Sequence, residues 1–300
     1  MEEVLNILDT TFTKVTFPDG NIYEGELKNG LKNGKGKLTF KNGDTFQGSW
    51  KNDKMEGRGI FLYKSGTYEG DFLTDKKEGN GKFSFPDGTY YEGQWSNDIQ
   101  FGRGIFKYKD GNSHEGEYRD GKCHGFGIMK EIKKGTYKGE FKSNSFCGKG
   151  VYSYIDGSIY EGEWEHNQKH GKGKLNFKEG GFYDGDWKND REEGSGRYSW
   201  IDGSKYNGEF KQGKKDGMGT IEWPDGASYE GEWKENRIEG KGKFKYPDGS
   251  WYEGMLKNGE RNGYGRLHHR GGNIQDGQWE NGKIKMDIKN PLGALGMKLW

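Results

Sequence analysis

The sequence predicts an all-β fold, an elongated solenoid-like rod of antiparallel hairpins, on three observations. A motif written at Tyr160, Gly162 and Trp164 recurs with its first residue at Tyr23, Phe46, Tyr68, Tyr91, His114, Tyr137, Tyr183, Tyr206, Tyr229, Tyr252 and Gln275. Every step is 23 residues (183 − 160, for example) except one of 22 (68 − 46), and a fixed short period is the mark of a solenoid or array. Eleven residues after each of the first eleven starts, from Gly34/Gly36 to Gly263/Gly265, stands Gly-x-Gly. Within each half of the repeat, rings and glycines alternate with charges, a period of two that belongs to strands and not to helices.

Composition agrees with an ordered but thin body. Mean hydropathy is −1.18 and hydrophobic content 29%, values that lean toward disorder. Aromatic residues oppose it: they are 15% of the chain, about half of everything hydrophobic, and the 55 glycines fall in register. The net charge of +1, from 48 basic and 47 acidic residues, advertises neither nucleic acid nor an anionic surface as partner. Cys123 and Cys147 stand on neighbouring repeats, about two strand spacings of ~4.8 Å apart, too far for an unstrained disulfide. Two free thiols and a reducing, cytoplasmic compartment are expected. No apolar run approaches the ~20 residues of a membrane span, and Met1-Glu2-Glu3-Val4 lacks the positive start of a signal peptide.

Taken in order, residues 1–10 stand outside the period. Val4, Leu5, Ile7 and Leu8 suit one face of a short helix, either a cap or a docking segment. The array occupies residues 11–286: a half repeat through Pro18-Asp19-Gly20, eleven full repeats, and an atypical last one with Met286 where a glycine would fall. In each full repeat the first strand presents ring, glycine, ring (Tyr160, Gly162, Trp164). The second presents glycine, glycine, apolar, ring (Gly171, Gly173, Leu175, Phe177). The recurrent glycines leave hollows over which rings from nearby strands can lie. The opposite face carries Glu161, Glu163, Lys172 and Lys174, which predicts cross-strand ion pairs worth about 0.2–1 kcal/mol each. A loop of about six polar residues separates the two strands, and Asp-Gly pairs such as Asp202-Gly203 predict tight hairpin turns between repeats. Around residues 128–135, Lys-Gly replaces Asp-Gly and a local irregularity, such as a bulge, is expected. Residues 287–300 are apolar at Leu292, Leu295, Leu299 and Trp300, read as a cap or as a partner segment, including self-association through an end.

The pattern Tyr-x-Gly-x-Trp, loop, Gly-x-Gly, aromatic, Asp-Gly resembles the MORN (membrane occupation and recognition nexus) repeat over about residues 12–284. The resemblance implies a twisted single-layer antiparallel sheet of stacked hairpins.

No enzyme motif is found: the glycine-rich stretches lack the P-loop pattern, and no Gly-x-Ser-x-Gly occurs. A non-enzymatic chain with no cofactor is expected. His124, Cys147 and His170 hold one loop-end position in three successive repeats, but a ~10 Å repeat spacing cannot bring them to one zinc ion at ~2.0–2.3 Å. They are weak metal candidates and otherwise polar loop ends. Trp95, Trp164, Trp187 and Trp233 are candidate anchors for a partner laid in an aromatic groove, unless their own neighbours occupy the rings. The resemblance implies a protein-interaction scaffold in a cytoskeletal assembly, a ciliary axoneme complex such as a radial spoke head foremost. A membrane adaptor meeting phosphoinositides through Lys76-Lys77, Lys133-Lys134 or Lys214-Lys215, or the regulatory subunit of a separate enzyme, are the alternatives.

Overall fold

The computed structural model describes residues 10–287, which form 25 β-strands and, among the described residues, no helix. Residues 1–9 and the candidates Leu292, Leu295, Leu299 and Trp300 lie outside the described residues. Backbone contacts divide the chain into two units, up to Phe146 and from Cys147. In each, consecutive strands pair antiparallel in an open meander, as the short connections require.

One repeat of the second unit shows how the sequence builds the rest. Strand Phe182–Lys188 pairs with Arg191–Ser199, and Asn189 and Asp190 alone connect them. Both have positive φ, 50° and 66°, the signature of a type I′ turn. The six-residue polar loop expected between the strands is therefore a two-residue turn. The strands run on into the polar residues, because Asn, Asp and Gly tolerate the left-handed conformation. The same turn recurs at Asn29-Gly30, Asn52-Asp53, Asn97-Asp98 and Asn258-Gly259.

The Asp-Gly connections are instead one residue longer. At Trp200–Ser204, Gly203 N–H donates to the Trp200 carbonyl at 3.1 Å and Trp200 N–H to the Ser204 carbonyl at 2.9 Å. Gly203 alone takes positive φ (91°), and the Asp202 carboxylate accepts the Ser204 N–H at 2.8 Å. Two connections without Asp-Gly carry the strand pairing further into the turn: Tyr63 pairs with Gly66, and Glu131 with Gly135. The bulge expected at 128–135 is absent, since Gly125–Glu131 pairs with Gly135–Phe141 without a register shift.

A bulge lies elsewhere, inside the hairpins. Gly185 pairs with Gly196, but Trp187 pairs with Glu192, so one residue opposes three. Gly194 bends the longer strand at φ 64°, and the Asp186 carboxylate holds the bulge by accepting the Ser195 N–H at 2.9 Å. This is why the repeat needs the first glycine of Gly-x-Gly and an acid immediately after the first-strand glycine. Glu26, Asp71, Glu163 and Glu232 do the same for Lys35, Asn80, Lys172 and Lys241. The ion pairs expected of that face form through either acid: Arg197–Asp184 at 3.0 Å and Lys82–Glu92 at 3.3 Å use the other one, and Lys172 pairs with Asp186 itself.

The core is a ladder of rings. Tyr183 is fully buried and lies over Gly185 and Gly196 of its own hairpin, and its hydroxyl donates to the Asp186 carbonyl at 2.8 Å. The expectation that rings sit on glycines holds, with the ring supplied by the same repeat. Trp187 stands edge-on between Tyr183 at 5.1 Å and Tyr160 of the repeat before at 5.4 Å. Such T-shaped contacts contribute about 0.5–1.5 kcal/mol beyond burial. Phe72, Tyr118 and Phe210 take the tryptophan place in other repeats with the same geometry.

Candidate interaction groove

The ladder closes the face on which an open aromatic groove was expected. Trp95, Trp164, Trp187 and Trp233 are only 3–6% exposed. Each indole N–H donates to a glycine carbonyl fourteen residues earlier: Gly81 at 3.0 Å, Gly150 at 3.2 Å, Gly173 at 2.9 Å and Gly219 at 3.1 Å. Of the two sequence readings of these residues, the structure places them as rings occupied by their own neighbours.

Lysines complete the cover, a feature that the sequence reading missed. Lys169 Nζ sits 4.4 Å from the Trp187 ring centre, and Lys215 Nζ sits 4.5 Å from Trp233 and 5.4 Å from Tyr206. Burial lowers the pKa of both amines. Lys32 and Lys77 lie over Trp50 and Trp95 in the same way, and each pairs with the turn aspartate of the next hairpin, Asp53 at 3.1 Å and Asp98 at 3.6 Å. Cation–π contact of this kind contributes from about 0.5 to 2 kcal/mol. The signal in the sequence is Lys32, Lys77, Lys169 and Lys215 standing at one position of the period.

Two of the three basic pairs proposed for lipid headgroups are thereby engaged through Lys77 and Lys215, while Lys134 pairs with Glu131 at 3.0 Å.

The column of His124, Cys147 and His170 also has a structural meaning. In other repeats its members are Glu78, Glu193, Asp216 and Glu239, whose carboxylates accept the N–H of a turn residue in the next hairpin (Asn97, Gln212, Glu235, Asn258). His124, Cys147 and His170 are half-buried at that capping place. His170 Nδ1 lies 3.4 Å from a Glu165 oxygen without the geometry of a hydrogen bond. Among the described residues no three His, Cys, Asp or Glu side chains are grouped to hold a metal ion. Neither cysteine is in a disulfide, and burial pushes Cys123 up to about 11.

The hollow of the first unit lies on the opposite, charged face. A trough of ≈ 810 Å³ runs over residues 58–128, and a second of ≈ 830 Å³ runs over residues 12–69; they share Arg58 and Glu69. Their floor is the glycine backbone of the motif, since Gly59, Gly81, Gly93, Gly104 and Gly127 present no side chain. Apolar residues interrupt the charges. Glu115 stands in register between Ile105 on one side and Ile128 on the other, with Phe126 and Glu117 beside them. Ile60, Ile105 and Phe126 are exposed. A surface of this make-up, with apolar anchors, fixed backbone and charges of both signs, can hold a peptide or helix by side-chain contact. Among the described residues no helix is long and apolar enough to cross a membrane.

Comparison with known proteins gives one firm result. The MORN repeat family matches residues 23–45, 46–67, 68–90, 91–113, 114–130, 137–159, 160–182, 183–205, 206–228, 229–251 and 252–274. No curated protein sequence matches the chain at a significant level. Among solved structures, the SAS-4 (dCPAP) TCP domain of Drosophila melanogaster, in complex with a proline-rich motif of Ana2, is 15% identical. It covers 52% of this chain and 85% of that one at a TM-score of 0.33. The TCP10 domain of Danio rerio CPAP with a STIL peptide is 14% identical and covers 90% of this chain and 100% of that one at a TM-score of 0.23. At these scores the likeness carries nothing over to this chain's function. Eleven successive matches over nearly the whole described length show that the chain belongs to the MORN repeat family.

Proposed function

We propose that the chain is a non-enzymatic protein-interaction scaffold whose first unit receives a segment of a partner protein along the charged trough. The observation that carries this reading is the division of labour between the faces. The Tyr and Trp rungs of the ring face are consumed by the repeat's own ladder, whereas the charged face leaves an open trough with exposed Ile60, Ile105 and Phe126. A cytoskeletal assembly is the proposed setting, a ciliary axoneme complex such as a radial spoke head foremost. A phosphoinositide-binding adaptor is the weaker reading, because Lys77, Lys134 and Lys215 of its basic pairs are engaged within the fold.

Affinity purification of the full chain from its native cell, with mass spectrometry of what resists high salt, tests the proposal. Axonemal or other cytoskeletal proteins are expected, and Ile105→Asp with Phe126→Asp should release them. Recovery of membrane proteins or a lipid kinase alone would overturn the scaffold, and retention of partners by the double variant would move the site off the trough.

A further inference from the structure

We propose that His114 is an acid-sensitive rung of the ladder: protonation of its imidazole opens the first unit at the hairpin formed by strands Ser113–Arg119 and Lys122–Glu131. His114 occupies the place that Tyr23, Tyr68, Tyr91 and Tyr137 hold in other repeats of that unit, and like them it is 0% exposed. Those tyrosines are neutral at any physiological pH, and each donates its hydroxyl to the carbonyl three residues on. The imidazole is shorter. Its Nδ1 meets the Tyr118 hydroxyl at 2.7 Å, and its Nε2, over Gly127, has no hydrogen-bond partner.

The neutral ring tolerates this. With the Tyr118 hydroxyl donating to Nδ1, or accepting from it, one ring nitrogen is satisfied and no charge is buried. Protonation makes both nitrogens donors, so Nε2–H⁺ becomes a charged donor with nothing to receive it, the costliest kind of buried group.

Nothing around the ring offers compensation. From its own strand it faces Tyr118, and from Lys122–Glu131 Met129 lies in register with it and Cys123 in register with Tyr118. From strand Gly135–Lys142 Phe141 stands 4.7 Å away, and from strand Ile99–Lys107 Phe106 lies in register. The titratable groups are thus Tyr118 and Cys123, with Tyr91 and Tyr108 behind Tyr118, and burial raises all four pKa values, leaving them neutral as acid is added. The carboxylates Glu115 and Glu117 line the trough on the other face. Burial correspondingly lowers His114 to about 4.

The sign follows. The folded value lies below the ordinary ~6.5 of an unfolded histidine, so the neutral ring's contribution is complete above pH 6.5. It is lost as pH falls toward 4. Between pH 6.5 and 4.5 the folded-to-open ratio should fall roughly forty-fold from this group alone.

Hydrogen exchange on the full chain, corrected for intrinsic rates, tests this. Residues 113–131 should lose protection roughly forty-fold more than residues 182–199, where Tyr183 and Trp187 hold the same rung. His114→Tyr, which restores the residue of the neighbouring repeats, and His114→Phe, which keeps the ring and removes the titration, should each abolish the excess. Equal pH dependence in wild type and His114→Phe would overturn the proposal. Independent of either variant, the wild-type His114 ring signal should move by NMR only as the 113–131 amides open, and titration near pH 6.5 with those amides protected would overturn it too.

Discussion

Gly196→Ala tests the ring-on-glycine core directly. A Cβ built on Gly196 would lie 2.5 Å from the Tyr183 hydroxyl oxygen and 2.6–2.7 Å from Cε2 and Cζ, where ordinary contact begins near 3.4 Å. The ring cannot withdraw. It is 0% exposed, its hydroxyl is bonded at 2.8 Å, and Trp187 and Phe210 hold it edge-on at 5.1 Å each. If the ring stays, overpacking costs about 1–3 kcal/mol. If it leaves, the loss is about 1.5–3 kcal/mol of aromatic burial plus ~1 kcal/mol for the hydrogen bond. The two routes bracket a cost of about 1–4 kcal/mol.

Two other glycines separate this effect from backbone strain. Gly226 has open space within 4 Å but φ of 86°, so Gly226→Ala should cost about 1–2 kcal/mol. Gly271 has open space and no left-handed φ, so Gly271→Ala should be near neutral. Urea unfolding followed by circular dichroism gives the ranking, and hydrogen exchange over residues 182–199 localises the loss, since a repeat array need not unfold as one unit. A Gly196→Ala cost within 0.5 kcal/mol of Gly271→Ala would refute the reasoning. Tyr183→Leu should recover part of the Gly196→Ala loss, a coupling visible in a double-mutant cycle.

The remaining predictions concern the rest of the ladder. Trp187→Phe keeps a ring of the kind Phe210 supplies but removes the N–H to the Gly173 carbonyl, and should cost about 1 kcal/mol in the same unfolding assay. Burial pushes Tyr23 and Tyr252 up to about 12, and Tyr160, Tyr183 and Tyr206 still higher. Folded values above the unfolded ~10 mean that this stabilisation is complete below pH 10 and lost as pH rises through 12. Absorbance at ~295 nm should therefore titrate later in native than in urea-unfolded protein, with cooperative unfolding in alkali; coincident curves would contradict the buried hydroxyls. Cys123, 6% exposed and pushed up to about 11, should resist iodoacetamide at about pH 8 and react once urea is added. Equal rates in the two conditions would place it at the surface.

The sequence by itself determined the strands, their pairing order and the division of residues between two faces. These follow from local chemistry: a strand alternates every residue, and Asn-Gly or Asp-Gly bends only a short connection. It also determined that rings meet glycines, because a period of 23 repeats that pairing in every copy. What it left open was which face stays free. That depends on atoms of adjoining repeats: whether the Trp187 N–H finds the Gly173 carbonyl fourteen residues earlier, and whether Lys169 folds over the indole instead of reaching water. The bulge at Gly194 was equally hidden. A glycine required by φ and one required by a neighbouring ring, Gly194 and Gly196, are the same letter in a sequence, and only the tertiary packing of Tyr183 against Gly196 tells them apart.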